Sequence, residues 1–426
     1  MADAPSWFDS LLFLVLLSGP PKFRGRDPSA SLTGTIDLVV LVHLAVWACG
    51  GLWVLARLYP TVVRRGMLPP INPAQAVGAL FIAALMLSMP ESPGLLLTAF
   101  TLGQFAVMLS FVWVFTYRFG TSACLRHLFI GVSVLAVATV VALVVSPELV
   151  AGVTAANAGI VIGQTRVVGN SFTDVGSVAV IGLVLCLSSV PPLRTSVFWG
   201  ALSLFGVLLI ASRTRSAELA VLAFLVIGLT QGRGLRVRQL IVPLFVFAFG
   251  VFVTDAMTST TAFLVKDPES ARTMSDRIPL WQYLTSIVMR ESPLTGLGYF
   301  AASRVYAPQY NPNLGNAHSV FFEVLMGGGI LGAALYLVLC GMLVWSAVRL
   351  LALAGGRPSA VAATGLLAVI LLSGITQVEG IHPGPLGFAF WSMTALIPGL
   401  LREASRARIA ANQPHTRKSS LRLRPA

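Results

Sequence analysis

The stretch His127-Leu-Phe-Ile-Gly-Val-Ser-Val-Leu-Ala-Val-Ala-Thr-Val-Val-Ala-Leu-Val-Val-Ser146 runs for twenty residues and contains no Asp, Glu, Lys or Arg. As a helix it would reach about 30 Å, the thickness of the hydrocarbon core of a bilayer. Runs of this kind recur at 7–19, 34–56, 74–90, 93–116, 174–190, 195–211, 216–231, 239–254, 320–348, 359–377 and 385–401. With 127–146 they make about twelve candidate spans. Lipid cannot satisfy open backbone groups, and the period-2 alternation of a membrane barrel is absent. The expected fold is therefore an all-α polytopic membrane protein.

Composition agrees. Of 426 residues, 56% are hydrophobic and 11% charged, with mean hydropathy +0.83, which excludes an ordinary soluble domain. The net charge of +13 does not point to nucleic acid, because the basic residues lie between apolar spans and not on one soluble face. Cys49, Cys124, Cys186 and Cys340 sit in or beside apolar stretches without a CxxC pair, so neither a disulfide framework nor a zinc site is expected. The run Trp7 to Gly19 follows no Lys or Arg and reads as a retained first helix, not a signal peptide.

Loop charge gives an orientation. If the stretch after Leu401 is cytoplasmic, most of the 29 basic residues fall on that side, among them Arg57, Arg64, Arg118, Arg349, Arg402, Arg406 and Arg408. Both termini are then cytoplasmic. Residues 1–401 form one helical bundle, and 402–426 a basic tail expected to be disordered. The opposite side keeps an unusual set of arginines, including Arg213, Arg215, Arg272, Arg277, Arg290 and Arg304. Positive charge there runs against the bias and calls for a reason. The longest loop, 255–318, lies on the same side and is the one connection large enough to build an extracytoplasmic active site.

Inside that loop, Ile278, Trp281, Leu284, Ile287 and Val288 recur at near-helical spacing across Ser275 to Met289, as in an amphipathic helix at the interface. Pro293-Leu-Thr-Gly-Leu-Gly298 is turn chemistry. The segment from Tyr306 to Asn316 is rich in aromatic rings and amides, groups that bind sugars and equally serve as interfacial anchors.

The polar residues divide between anchoring and chemistry. Arg213 and Arg215, in Ser212-Arg-Thr-Arg-Ser216, are either interfacial anchors or planar forks for a phosphate. Burying an Arg at a helix centre costs about 2.5–3.5 kcal/mol on the insertion scale, and less near the interface. Arg277 and Trp281 are four apart and share a helix face, with Arg272 close by in sequence. His318 stands where the polar loop enters the next apolar run, in Asn316-Ala-His-Ser-Val-Phe-Phe-Glu323. A histidine there can act as a general base, cap a helix or bond a carbonyl. Glu323, Glu218 and Asp37 are carboxylates within or beside apolar runs, suited to orienting an Arg or His or to relaying protons. Glu379 and His382 share a loop expected on the outer side. No Walker loop, GxSxG elbow or HExxH is present, and no outer loop carries an Asp-x-Asp pair, so neither a metal nor another cofactor is called for. A diphosphate would have to be met by arginine.

Taken together, Ser212 to Gly332 resembles the O-antigen ligase and O-antigen polymerase family of bacterial polysaccharide enzymes. The pattern is Ser212-Arg213 at a helix end, an Arg-x-x-x-Trp helix at Arg277 and Trp281, the Pro-Leu-x-Gly-x-Gly turn at Pro293 to Gly298, His318 beside an Asn, and Gly329-Ile-Leu-Gly332. Two positions depart from it: Ser319 stands where the family usually has Asn, and Gly327 where an acid is common. The resemblance implies a metal-independent, inverting glycosyl transfer on the outer face of the cytoplasmic (inner) membrane. The donor would be a glycan on undecaprenyl pyrophosphate and the acceptor a glycan or lipid. Arg213 and Arg277, helped by Arg215 and Arg272, would meet the diphosphate. His318 would deprotonate or orient the acceptor, and Trp281, Glu323, Glu379, Tyr306 and Asn316 would line the substrate site. A polymerase extends a second lipid-linked repeat, whereas a ligase transfers to lipid A core, protein or another envelope acceptor; the reading leans to polymerase. A transporter or flippase is the reading from another class, and it predicts paired broken helices in internal repeats.

Overall fold

The computed structural model describes residues 4–19, 38–145, 151–152, 166–167, 174–212, 214–231, 277–312, 314–354, 356–378 and 380–412. Among these, regular structure is helical except for a two-residue antiparallel ladder, β1 (Ala151–Gly152) against β2 (Arg166–Val167). The helices are α1 (Trp7–Ser18), α2 (Leu38–Arg65), α3 (Pro73–Met86), α4 (Leu95–Phe119), α5 (Thr121–Val145), α6 (Val175–Leu187), α7 (Thr195–Ser212) and α8 (Arg215–Gln231). They are followed by α9 (Arg277–Glu291), α10 (Ala301–Tyr310), α11 (Val320–Ala354), α12 (Pro358–Thr376) and α13 (Pro385–Asn412).

The expectation of about twelve spans is met in part. Among the described residues, 7 helices are long and apolar enough to cross a membrane, with three shorter apolar helices beside them. Some of the remaining candidates are short helices. The 12 residues of α1 rise about 18 Å, and α6 is similarly short. Every residue of α6 is buried, as in a helix enclosed by others. The candidate run 239–254 lies outside the described residues, as does the loop segment 255–276. The amphipathic stretch expected over Ser275 to Met289 is present as α9. The basic stretch after Leu401 begins as helix, because α13 continues to Asn412.

An aromatic core joins the helices. Trp391 and Phe388 of α13 are fully buried. Phe388 meets Phe13 of α1 at 4.9 Å, and Trp391 meets Phe105 of α4 at 5.5 Å between ring centroids. Leu41, Leu52 and Leu55 on α2 and Val137, Val141 and Val144 on α5 point outward, as lipid-facing side chains do.

The bundle has two polar ends. At one, the buried Asp9 accepts hydrogen bonds from Trp53 Nε1 at 2.7 Å and Arg57 at 2.6 Å, tying α1 to α2. It also closes the capping box of α1 with Ser6, so the buried carboxylate has its oxygens satisfied. At the other end, Thr98 near the start of α4 donates to the carbonyl of Tyr299 at 3.0 Å, joining the loop region to the bundle.

The second end is organised by a break in α11. Gly329 has φ 59 and ψ −159 inside the helix, a conformation that glycine adopts at little steric cost. The freed backbone groups are taken up by the Pro293–Gly298 turn. Ile330 N–H donates to Pro293 O at 2.8 Å and Leu331 N–H to Leu294 O at 3.1 Å, while Leu297 N–H donates to Met326 O at 2.9 Å. Non-helical backbone at this depth is tolerated because protein covers it. The approach is so close that a Cβ on Gly296 would overlap the backbone of Gly327, Gly328 and Gly329.

Gly296→Ala is therefore expected to cost about 2 kcal/mol or more, read as a lower thermal unfolding midpoint in detergent. Gly315→Ala, with nothing within 4 Å of its added methyl, should stay within about 0.5 kcal/mol. Equal midpoints for the two variants would contradict the interlock.

Candidate active site

The interlock places α9, α10 and the start of α11 around one polar mouth. Leu280, Leu284, Ile287 and Val288 of α9 pack with Leu297, Ala302, Ala307, Ala317 and Met326 in a small apolar cluster of their own. Trp281 Nε1 donates to Ala317 O at 2.8 Å, and its ring stacks on Phe322 at 4.6 Å. Both contacts fix the segment carrying His318. Trp281 thus positions the site from behind.

His318 sits in the turn ahead of α11 with φ 51, a left-handed conformation uncommon for a residue with a Cβ. Its N–H donates to Asn316 Oδ1 at 2.7 Å, so Asn316 holds the turn. The imidazole is half-buried. Burial holds its pKa below the ordinary histidine value, and the positive charges of Arg277 and Arg304 add to this. A neutral imidazole beside two guanidinium groups can accept a proton while the cations receive an anion.

Behind His318 lies Glu323, one turn into α11 and 1% exposed. It accepts from Ser303 Oγ at 2.6 Å and from Ala317 N–H at 3.4 Å, and it pairs with Arg304 at 3.7 Å. The Arg304 guanidinium lies 3.3 Å over the Phe300 ring and donates to Ser303 Oγ at 3.1 Å. Its geometry is thereby fixed by a carboxylate, a hydroxyl and an aromatic face. Phe300, itself at φ 69, touches His382 at 4.5 Å, and His382 Nε2 lies 3.3 Å from the Tyr299 hydroxyl. Burial, with the nearby Glu323 and Tyr336, raises the Tyr299 phenol well above its usual pKa, so it stays protonated.

Of the residues singled out from sequence, His318, Arg277, Glu323, Trp281 and Asn316 come together here. Tyr306 turns its hydroxyl to Glu291 at 3.1 Å. Arg215 begins α8, its side chain lying outside the described set, as do Arg213, Arg272 and Glu379 altogether. Sequence reasoning counted Arg304 only as one more arginine on its side and missed Ser303, Tyr299 and Phe300. Their one local signal is the Gly298-Tyr-Phe300 step after the turn. Among the described residues, no group of three His, Cys, Asp or Glu could hold a metal ion.

Residues 199–337 match the family model described as O-antigen ligase. This third of the chain runs from α7 into α11 and contains Arg213, Arg277, the Pro293–Gly298 turn, His318 and the Gly329 break. Over that stretch the chain is similar to the O-antigen ligase family, and the described helices around it include seven long and apolar enough to cross a membrane. No curated protein matches the chain.

Because Arg277 lowers the proton affinity of His318, Arg277→Gln should raise it and move the imidazole titration to higher pH. Histidine NMR in detergent, with the signal assigned through His318→Gln, reads this directly. A titration that stays in place would remove Arg277 from the electrostatics of the site.

Proposed function

We propose that the protein is a polymerase of a surface polysaccharide. It would join undecaprenyl-pyrophosphate-linked glycan on the outer face of the cytoplasmic membrane by metal-independent, inverting transfer. The observation that carries this reading is a half-buried His318 imidazole whose pKa is lowered by burial and by the charges of Arg277 and Arg304, at a mouth built within the O-antigen ligase match.

In the proposed step, the acceptor hydroxyl attacks the anomeric carbon as the bond from that carbon to the diphosphate oxygen breaks. His318 takes the hydroxyl proton. The electron pair leaves on the diphosphate, whose charge grows most in the transition state, and Arg277 stabilises it there. Arg213, Arg215 and Arg272 are proposed to complete the clamp, and Glu379 to border the substrate. Glu323 keeps Arg304 oriented, and Asn316 and Trp281 hold the His318 turn. Attack from the face opposite the leaving group inverts the anomeric centre. Polymerase and ligase differ only in which hydroxyl is presented.

Arg277→Lys keeps the charge but loses the planar fork, and it is expected to reduce transfer about 100-fold while expression is unchanged. Near-normal glycan output would sink the clamp. A chelator should leave the purified activity nearly intact. In a deletion strain complemented with His318→Ala, accumulation of single lipid-linked repeats identifies a polymerase. Long chains retained on the carrier identify a ligase, and an unchanged glycan profile would remove the enzymatic reading.

A further inference from the structure

The far end of the bundle holds a cavity of about 310 Å³ between the starts of α3 and α5, the end of α4 and the late part of α13. None of its lining residues belongs to the His318 mouth. Thr98 of α4 bonds the Tyr299 loop, and Tyr117 of the same helix lines the cavity. The helix between them rises about 28 Å, close to the hydrocarbon thickness.

Arg402 and Arg406 lie one turn apart on α13 and both line this cavity. Among the described residues neither guanidinium has a hydrogen-bond or ion-pair partner. Two other arginines, outside the lining, are engaged elsewhere: Arg57 is taken by Asp9 at 2.6 Å, and Arg118 donates to Arg57 O at 3.4 Å. The one carboxylate in the lining, Glu403, accepts from Thr121 Oγ1 at 2.9 Å. The side walls are aromatic, with Trp113 and Tyr117 one turn apart on α4, placed as residues of a membrane interface are. Close in sequence to the lining residue Pro70, Met67 and Leu68 are exposed apolar side chains.

We propose that this cavity binds the head group of an anionic phospholipid. The phosphodiester would sit on the Arg402 and Arg406 forks, and the head-group hydroxyls would meet Thr121 and Glu403. Two exposed guanidinium groups without a partner among the described residues can receive an anion, and a basic pocket between helix ends is where lipid phosphate is bound. The volume suits a small polar group. The apolar rim favours a phosphate carried by a lipid over one arriving from water.

The test uses the full chain in detergent doped with phosphatidylglycerol, phosphatidylethanolamine or phosphatidylcholine. Lipid retained through size exclusion and the lipid-induced shift in unfolding midpoint are measured. Phosphatidylglycerol should be retained over the other two, and Arg402→Gln with Arg406→Gln should lower its retention about tenfold. Arg349→Gln, an exposed change outside the cavity, should leave retention unchanged. If the double variant lacks a cooperative transition, Arg406→Gln alone carries the comparison. Equal retention of the three lipids, equal loss in Arg349→Gln, or undiminished retention in the cavity variant overturns the proposal. Inorganic phosphate alone matching the phosphatidylglycerol shift would assign the site to free phosphate and overturn the lipid source.

Discussion

The active end depends on one backbone contact, the seating of the Pro293–Gly298 turn in the break of α11. A membrane helix that opens at Gly329 leaves N–H and C=O groups that lipid cannot satisfy. The turn supplies partners for them through Pro293, Leu294 and Leu297. This requires backbone against backbone, with glycine on both sides, and fixes where α10 and the His318 turn leave the bundle. Gly327, where the related pattern often has an acid, has Tyr299 Cα so near that a Cβ there would collide with it. A larger residue at that position would push the turn away.

Electrostatics then follow from geometry. Glu323 is buried beside the break, and an isolated carboxylate there would be costly. Ser303, Ala317 N–H and Arg304 supply the compensation. The same three contacts draw α10 and the His318 turn to one point. Arg304, once held, adds its positive charge to that of Arg277 next to a half-buried imidazole. The packing of the mouth and the lowered proton affinity of His318 are therefore both tied to one buried carboxylate.

Much of this was legible in the chain because its signals are local. The apolar run of α5, the helical spacing in α9 and the turn residues from Pro293 are short-range patterns, and they appear as helix, helix and turn. The span count was less legible. Hydropathy alone does not separate a helix long enough to cross lipid from a short one such as α6, whose every residue is buried. Arg304 was hidden for a different reason. Its partner Glu323 is nineteen residues away, and only the docking of α10 on α11 brings them together.

The sequence by itself determined a helical protein with spans apolar enough for a membrane, the segment similar to the O-antigen ligase family and the candidacy of His318 and Arg277, because hydropathy, turn chemistry and residue type act over a few neighbours. The tertiary structure decided that α11 breaks at Gly329, that Trp281 bonds Ala317 and Tyr306 bonds Glu291, that Arg304 pairs with Glu323, and that two arginines line a cavity at the opposite end. Those outcomes depend on which surfaces pack together. Packing is set by long-range backbone and side-chain contacts that no local pattern encodes.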